Sequence, residues 1–156
     1  MRSEILALAR ARGVMIATAE SCTAGMVAAA LTDLAGSSAV FERGFVTYSN
    51  AAKMEMLGVE SATLDAYGAV SEEVAAQMAQ GALTNSAAQL TVSLTGIAGP
   101  GGSDHKPEGR VCFGIGDARG TRTQTVEFGP LGRDAVRSAA RDHALKLLYE
   151  TLLETP

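Results

Sequence analysis

A hydroxyl and a thiol stand side by side at residues 21 and 22, where a short apolar run gives way to helix-forming residues. The run 14–17 predicts a strand, and residues 22–32 predict a helix. Ser21 is therefore expected at or beside the helix N-cap, where free backbone amides and the helix dipole stabilise an anion. Such a corner suits the nucleophile of an acyl transfer, with the amides binding the oxyanion. The alternative is that Ser21 only caps the helix.

Cys22 allows two interpretations of its own. It is either the rival nucleophile, since a thiol is intrinsically reactive, or a small buried hydrophobic side chain. Cys112 is the only other cysteine. The two are not at ligand spacing, and neither His105 nor His143 has a cluster of ligands near it, so the sequence predicts reduced thiols and no metal site.

A second strand-to-helix corner lies at residues 47–53. With Asn50 as the expected cap, Lys53 falls in the first helical turn, where the helix dipole and burial both favour the neutral amine. A neutral amine can act as a general base, and Tyr48 at the end of the strand could pass or orient a proton. The alternative is that Lys53 is a solvated surface lysine and Tyr48 a half-buried strand residue.

Residues 96–102, here called the glycine loop, follow Thr95 directly. Their backbone amides could approach a phosphate or ribose closely, with the Thr95 hydroxyl beside them. The loop matches neither a P-loop nor a dinucleotide fingerprint, so a plain turn is the alternative. Arg133 and Arg137 stand one helical turn apart near the start of the last predicted helix. They either clamp a phosphate or lie on an exposed face.

Composition narrows the class of protein. The chain has 156 residues with 47% hydrophobic side chains, which fits one ordered domain over residues 1–156. The formal net charge is −4 and the 13 basic residues are dispersed, so a nucleic-acid partner is not expected. No apolar segment approaches the length of a membrane span, so we expect a cytoplasmic protein without membrane attachment.

The order of predicted elements indicates an α/β fold. Helices and strands alternate, and a hairpin near the end of the chain is predicted to form an antiparallel edge, so we expect a single-domain α/β/α layering with a mixed, mostly parallel sheet. Predicted helices cover residues up to 12, 22–32, 51–57, from 71 onward and 133–153. Predicted strands cover residues 14–17, 39–48, 90–95, 109–116 and 121–128.

Four separated blocks of the chain resemble the CinA C-terminal family. They are Thr-Ala-Glu-Ser-Cys-Thr at 18–23, Gly-Phe-Val-Thr-Tyr-Ser-Asn at 44–50 with Lys53, Gly-Ala-Val-Ser at 68–71, and Thr-Gly-Ile-Ala-Gly-Pro at 95–100. Lys106, Pro107 and Gly109 strengthen the resemblance, which extends over residues 3–153. The chain departs from the usual family pattern at three positions, with Ala24 for glycine, Glu108 for valine and Arg110 for threonine.

The resemblance implies hydrolysis of the carboxamide of nicotinamide mononucleotide to nicotinic acid mononucleotide and ammonia, a step in pyridine nucleotide recycling, with no cofactor. By motif position, Ser21 is then the nucleophile, Lys53 its general base and Tyr48 a helper in proton transfer. Groups expected to contact the small-molecule nucleotide are Cys22, Thr23, Thr95, Gly96, Gly99, Gly101, Gly102, Arg133 and Arg137. Two functional alternatives stay open: a Cys22-dependent amidase, and a module that binds a nucleotide without hydrolysing it. Apolar edge strands and the resemblance together favour a homodimer or larger homo-oligomer.

Overall fold

A computed structural model describes residues 1–103 and 105–154 of the chain. The helices are α1 (Arg2–Arg12), α2 (Met26–Thr32), α3 (Asn50–Leu57), α4 (Ser61–Tyr67), α5 (Glu72–Thr84) and α6 (Arg133–Glu154). The strands are β1 (Ile16–Glu20), β2 (Phe41–Val46), β3 (Leu90–Gly96), β4 (Arg110–Asp117) and β5 (Gly120–Glu127). None of the helices in the described ranges is both long and apolar enough to cross a membrane.

The strands form one mixed sheet in the order β2-β1-β3-β4-β5. Strands β2, β1 and β3 run parallel, and Glu20 of β1 is in register with Val46 on one side and Leu94 on the other. The carboxyl ends of these three strands therefore meet at one edge of the sheet. Strands β4 and β5 form an antiparallel hairpin beside β3. The structure confirms the predicted mixed sheet with an antiparallel hairpin at its edge.

Helices cover both faces of the sheet. On one face α1, α2 and α6 pack over β1, β3 and β4, and the buried core there includes Ile5, Leu31, Val92, Phe113 and Leu148. On the other face α5 lies across β3 and β4 with α3 and α4 beside it, and that smaller core contains Ala19, Phe45, Leu57, Val59, Val74, Met78 and Ala82. The predicted α/β/α layering is confirmed.

The first strand lies further along the chain than predicted. It covers Ile16–Glu20 instead of residues 14–17, and its polar residues Thr18 and Glu20 are buried with the apolar ones. The buried Glu20 carboxylate accepts hydrogen bonds from the backbone amides of Val27 and Ala28 at the start of α2. A carboxylate in this position accepts hydrogen bonds from the unpaired helix amides and lies at the positive end of the helix dipole. Both interactions offset the loss of hydration on burial.

Helix α2 begins four residues later than predicted, and Ser21 is not its N-cap. Ala24 has φ 47° and Gly25 has φ 105°, both in the left-handed region, so the chain makes a separate turn over residues 21–25 before the helix starts at Met26. The N-cap is Gly25. We call this segment the 21–25 turn. It places Ser21 outside the helix, directly at the end of β1.

Helix α3 is close to its predicted range, but the cap residue differs. The Ser49 hydroxyl accepts the hydrogen bond from the amide of Ala52, so the N-cap is Ser49 and Asn50 is the first helical residue. Lys53 lies in the first helical turn, as expected. The predicted cap of α5 is confirmed, because the Ser71 hydroxyl accepts from the amide of Val74.

The two edges of the sheet differ in polarity. Strand β5 carries Thr, Arg and Gln side chains that are exposed, while β2 leaves the apolar Val46 exposed at its end. The expectation of apolar edge strands is therefore wrong for β5. The reason is that β5 packs one side on β4 and leaves most of its side chains in water.

Candidate active site

Segments from several elements meet at the carboxyl ends of the parallel strands. Ser21 follows β1, Thr47 and Tyr48 follow β2, and Thr95 lies near the end of β3. Helix α3 begins just after β2 and carries Lys53 back toward β1. In open α/β sheets, this edge is the usual place for ligand binding.

Lys53 is the largest side chain that is almost completely buried, with 1% of its surface exposed. Its Nζ atom donates to the Oγ atom of Ser21 at 3.0 Å. The same atom donates to the carbonyl oxygens of Thr47 at 2.9 Å and Tyr48 at 3.3 Å. The surface-lysine alternative is therefore wrong, since the strand end and the helix start together enclose the amine.

Burial also changes the chemistry of Lys53. Loss of solvent lowers the pKa of its amine below the ordinary value of 10.5. In the neutral form the nitrogen has two N–H groups and one lone pair, and the two carbonyls of Thr47 and Tyr48 account for both N–H groups. The lone pair then faces the hydroxyl of Ser21. In this arrangement a neutral amine can accept the proton of the hydroxyl beside it.

The 21–25 turn is held from several sides. The amide of Ser21 donates to the carbonyl of Leu94 on β3. The hydroxyl of Thr23 donates to Glu20 at 2.6 Å, and the amide of Ala24 closes the turn on the carbonyl of Ser21. In the described part of the chain, the amides of Cys22 and Thr23 donate to no carbonyl of another residue.

Cys22 lies beside Ser21, but its thiol is not in the ionised form of a reactive cysteine. Burial raises the pKa of the Cys22 thiol to about 11. At neutral pH the side chain is therefore almost entirely protonated, and the thiolate is the form that attacks. Its environment is that of a small buried hydrophobic group.

Tyr48 is exposed, with 59% of its surface accessible, and its hydroxyl points to the rim of the site. The Nη2 atom of Arg133 donates to this hydroxyl at 2.9 Å, and Nη1 donates to the carbonyl of Gly99 at 2.6 Å. Arg133 therefore joins the end of β2 to the glycine loop. Its guanidinium is the cationic group at the mouth of the site.

A cleft of about 350 Å³ opens over Ser21 and Lys53. Among the residues expected to contact substrate, Cys22, Thr95, Gly96, Gly99, Gly101, Gly102 and Arg133 line the cleft, together with Tyr48. Thr23 and Arg137 lie outside its lining, and their side-chain polar groups bond to the protein. A side-chain contact of these two with substrate stays a prediction that this placement does not favour.

Two polar groups of the glycine-loop region already have partners within the chain. The Thr95 hydroxyl donates to the carbonyl of Ala69 at 2.9 Å. The amide of Gly101 donates to the carboxylate of Glu108 at 2.6 Å. These bonds shape the cleft wall, and the Glu108 carboxylate brings negative charge to the outer part of the loop.

Several cleft residues were not anticipated from the sequence. These are Asn50, Ala69, Val70 and Ser103, whereas Ile97, Ala98 and Pro100, which also line it, belong to the glycine loop that the sequence had proposed. The block at residues 68–71 was a signal for two of them, because it belongs to the family pattern. Across the described ranges no group of three or more His, Cys, Asp or Glu side chains is arranged to hold a metal ion.

Comparison of the sequence with known families shows where the chain belongs. The model of the CinA C-terminal domain matches residues 1–152. The chain belongs to this family. The expectation drawn from the four motif blocks is therefore confirmed.

Relatives within the CinA C-terminal family include named enzymes. The chain is 53% identical to the nicotinamide-nucleotide amidohydrolase PncC of Escherichia coli K12 over 146 residues, which cover 93% of this chain and 88% of that protein. It is 51% identical to the PncC of Enterobacter agglomerans, over 92% and 88% of the two chains. A CinA-like protein of Chlorobium phaeobacteroides is 50% identical over 90% of this chain but only 34% of its own length.

Solved structures of the family share the fold. The competence/damage-inducible protein CihA of Agrobacterium tumefaciens has a TM-score of 0.88 at 47% identity, covering 97% of this chain and 96% of that one. The competence damage-inducible protein A of Klebsiella pneumoniae has a TM-score of 0.95 at 36% identity, covering 99% and 96%.

Proposed function

We propose that this chain hydrolyses the carboxamide of nicotinamide mononucleotide to nicotinic acid mononucleotide and ammonia, with Ser21 as the nucleophile. The observation that carries the proposal is the 3.0 Å contact between a buried lysine amine and a serine hydroxyl at the floor of the cleft. The named PncC relatives at 53% and 51% identity supply the reaction class and the substrate. The family resemblance and the residues of the site therefore agree on an amidohydrolase.

The first half of the reaction forms an ester with the enzyme. Neutral Lys53 accepts the proton of Ser21, and Oγ attacks the carbonyl carbon of the carboxamide. The developing oxyanion is held by the amides of Cys22 and Thr23, which have no carbonyl of another residue to bind in the described part of the chain. The protonated Lys53 then gives its proton to the amide nitrogen, so the C–N bond breaks and ammonia leaves.

The second half returns the enzyme to its starting state. Lys53, neutral again, accepts a proton from water, and the hydroxide attacks the acyl carbon. The ester bond breaks, Ser21 takes back its proton from Lys53, and the carboxylate product is released. In this scheme one buried amine serves as base and acid in turn. Its lowered pKa suits that double use, because both forms are accessible nearer to neutral pH.

The nucleotide part of the substrate fits the outer cleft. Arg133 offers the cationic group at the mouth, and a guanidinium binds a phosphate with paired hydrogen bonds. The backbone of the glycine loop lines the cleft at Gly96 and Gly99, so its amides and carbonyls can approach a ribose. Tyr48, bonded to Arg133, contributes a hydroxyl that can relay a proton or orient the phosphate.

The decisive experiment measures ammonia release from nicotinamide mononucleotide by the purified chain. We expect turnover in the wild type and none in Ser21→Ala, with the nucleotide still bound by the variant in calorimetry. Lys53→Met should also abolish turnover. Unchanged turnover in Ser21→Ala would remove the proposed nucleophile, and nucleotide binding with no ammonia from the wild type would favour a non-catalytic module.

We also propose that the chain acts in the cytoplasm in pyridine nucleotide recycling, as a homodimer or larger homo-oligomer. The exposed Val46 and Tyr48 at the end of β2 support self-association at that edge. Sedimentation at several protein concentrations tests the assembly, and a single species of about 16 kDa mass would contradict it.

A further inference from the structure

Arg137 lies on α6, one turn after Arg133, yet it faces a different part of the molecule. Its Nε atom donates to the carbonyl of Cys22 at 3.0 Å, and Nη2 donates to the carbonyl of Thr23 at 3.3 Å. The side chain is partly buried and is not part of the cleft lining. A single guanidinium thus binds two consecutive carbonyls of the 21–25 turn.

Peptide geometry gives these two bonds a consequence for the reaction. A trans peptide group is planar, so the carbonyl of Cys22 and the amide of Thr23 point in opposite directions. Fixing the carbonyl on a guanidinium therefore fixes the direction of the amide on the other side of the plane. The Thr23 amide is one of the two donors that the mechanism assigns to the oxyanion.

The next peptide group is fixed in the same way. The carbonyl of Thr23 binds Arg137 while the amide of Ala24 binds the carbonyl of Ser21. The Thr23 side chain is held from a third direction by Glu20. Both peptide groups that follow Cys22 are therefore restrained before substrate arrives, which is the preorganisation that oxyanion stabilisation needs.

The charge of Arg137 adds to its geometry. A cation that binds a carbonyl oxygen draws electron density from the peptide group, which makes the amide at its other end a stronger donor. A neutral donor in the same place would orient the peptide without this polarisation. The effect is largest when the oxyanion forms, since the substrate carbonyl carries less charge than the tetrahedral intermediate.

We infer that Arg137 is a positioning residue of the oxyanion hole: it binds the carbonyls of Cys22 and Thr23 and thereby aims and polarises the Thr23 amide. The inference rests on the proposed role of Ser21. It replaces the expectation that Arg133 and Arg137 together clamp a phosphate, since only Arg133 reaches the cleft.

The test compares Arg137→Gln with two substrates, nicotinamide mononucleotide and nicotinamide riboside, which lacks the phosphate. A positioning role predicts that kcat falls by roughly 10- to 100-fold with both substrates while KM changes little. A phosphate-binding role predicts a raised KM for the nucleotide alone, and that result would overturn the inference. Arg141→Gln is the matched control, because Arg141 lies one turn further along α6 and its Nε donates to the neighbouring Asp142.

Two further measurements separate positioning from a loss of folding or of the proposed function. Arg137→Lys keeps the cation but cannot form two parallel bonds, so its kcat should lie between those of the wild type and Arg137→Gln. The rate at which a fluorophosphonate probe modifies Ser21 depends on the same oxyanion hole and needs no substrate. This rate should fall in both variants. Labelling of the wild type without ammonia release would reject the proposed substrate but retain the role of Arg137. Equal labelling rates in wild type and Arg137→Gln would reject that role, as would a wild type that neither labels nor releases ammonia.

Discussion

The Nζ atom of Lys53 lies 3.0 Å from the Oγ atom of Ser21, although 32 positions separate the two residues in the chain. The contact exists because β1 and β2 are parallel neighbours, so the turn after one strand and the helix after the other start from the same edge of the sheet. Burial at this edge removes water from the amine. The sheet therefore brings the two groups together, and burial at its edge lowers the pKa of the amine.

The first prediction concerns the pH dependence of turnover. In the proposed mechanism Lys53 accepts a proton only when neutral, so kcat/KM should rise tenfold per pH unit on its acidic limb and then level off. Because burial lowers the pKa of the Lys53 amine, the plateau should begin below pH 10.5. Steady-state rates between pH 6 and 10 measure this profile. A limb that continues upward to the ordinary lysine value would contradict the proposed environment of the amine.

The second prediction concerns stability and the same amine. The unfolded chain holds the Lys53 proton up to about pH 10.5, whereas the folded chain releases it at a lower pH. Between these two values the unfolded state binds more protons, so folding stability gains with rising pH. Relative to Lys53→Met, the free energy of unfolding of the wild type should increase toward pH 10, by at most about 1.4 kcal/mol per pH unit. Urea titrations at pH 7, 8, 9 and 10 measure the difference in free energy of unfolding between the two proteins. A difference that does not change with pH would contradict the lowered pKa.

The third prediction separates the two possible nucleophiles. Cys22→Ala removes the thiol and leaves the backbone amide in place, so ammonia release should stay within about tenfold of the wild type. Iodoacetamide should react slowly with the wild type at pH 8, since the Cys22 thiol has a pKa of about 11 and is buried. Ser21→Ala is the comparison. A loss of turnover in Cys22→Ala as complete as in Ser21→Ala would instead assign the reaction to the thiol.

The fourth prediction concerns Glu20, the buried carboxylate below the 21–25 turn. Glu20→Gln keeps the size of the side chain but replaces an acceptor oxygen with an NH2 group facing the amides of α2. We expect the free energy of unfolding to fall by about 2 kcal/mol, because buried donors lose their acceptor. Thermal and urea unfolding measure the loss. The exposed Glu60 provides the control, since Glu60→Gln should change stability by less than about 0.5 kcal/mol.

Sequence patterns predicted the elements whose buried faces repeat regularly. Helix α5 was expected from the spacing of Val74, Met78 and Ala82, and all three are buried in the smaller core. Helix α4 was not anticipated, because no residue of Ser61–Tyr67 is buried and the segment has no apolar stripe. A different reason explains the misplaced β1: all five of its residues are buried, but the polar residues Thr18 and Glu20 within it are typical of a loop.

The candidate site was only partly predictable for a related reason. Ser21 and Lys53 each come after a predicted strand, which made them candidates, and the family resemblance then assigned their expected roles. The partners of Tyr48 and Arg137 were not readable, because their contacts join residues 85 and 115 positions apart. Such contacts depend on the path of α6 over the sheet, and a local sequence pattern does not predict that path.

The fifth prediction tests the packing that holds α3 in place. Gly81 of α5 lies against the carbonyl of Leu57 at the end of α3, and a Cβ at this position would overlap that oxygen. Gly81→Ala should therefore push α3 away, reducing stability by about 1–3 kcal/mol and lowering kcat through Lys53. Gln80→Ala is the control, because Gln80 is the exposed neighbour on the same helix. Unfolding and activity measured together would show whether the two effects occur jointly, and a Gly81→Ala variant as stable and active as the wild type would refute the packing argument.

The direction of the hairpin has a practical use. Strand β4 starts beside the end of β3 and runs the opposite way, so the connection at Ala118 and Arg119 lies at the far end of the sheet from the cleft. A fluorophore or a fused reporter domain attached at this connection would leave the mouth of the cleft unobstructed. Immobilising the protein through the same point would orient every molecule with its cleft toward the solution, which suits a surface-based sensor for released ammonia.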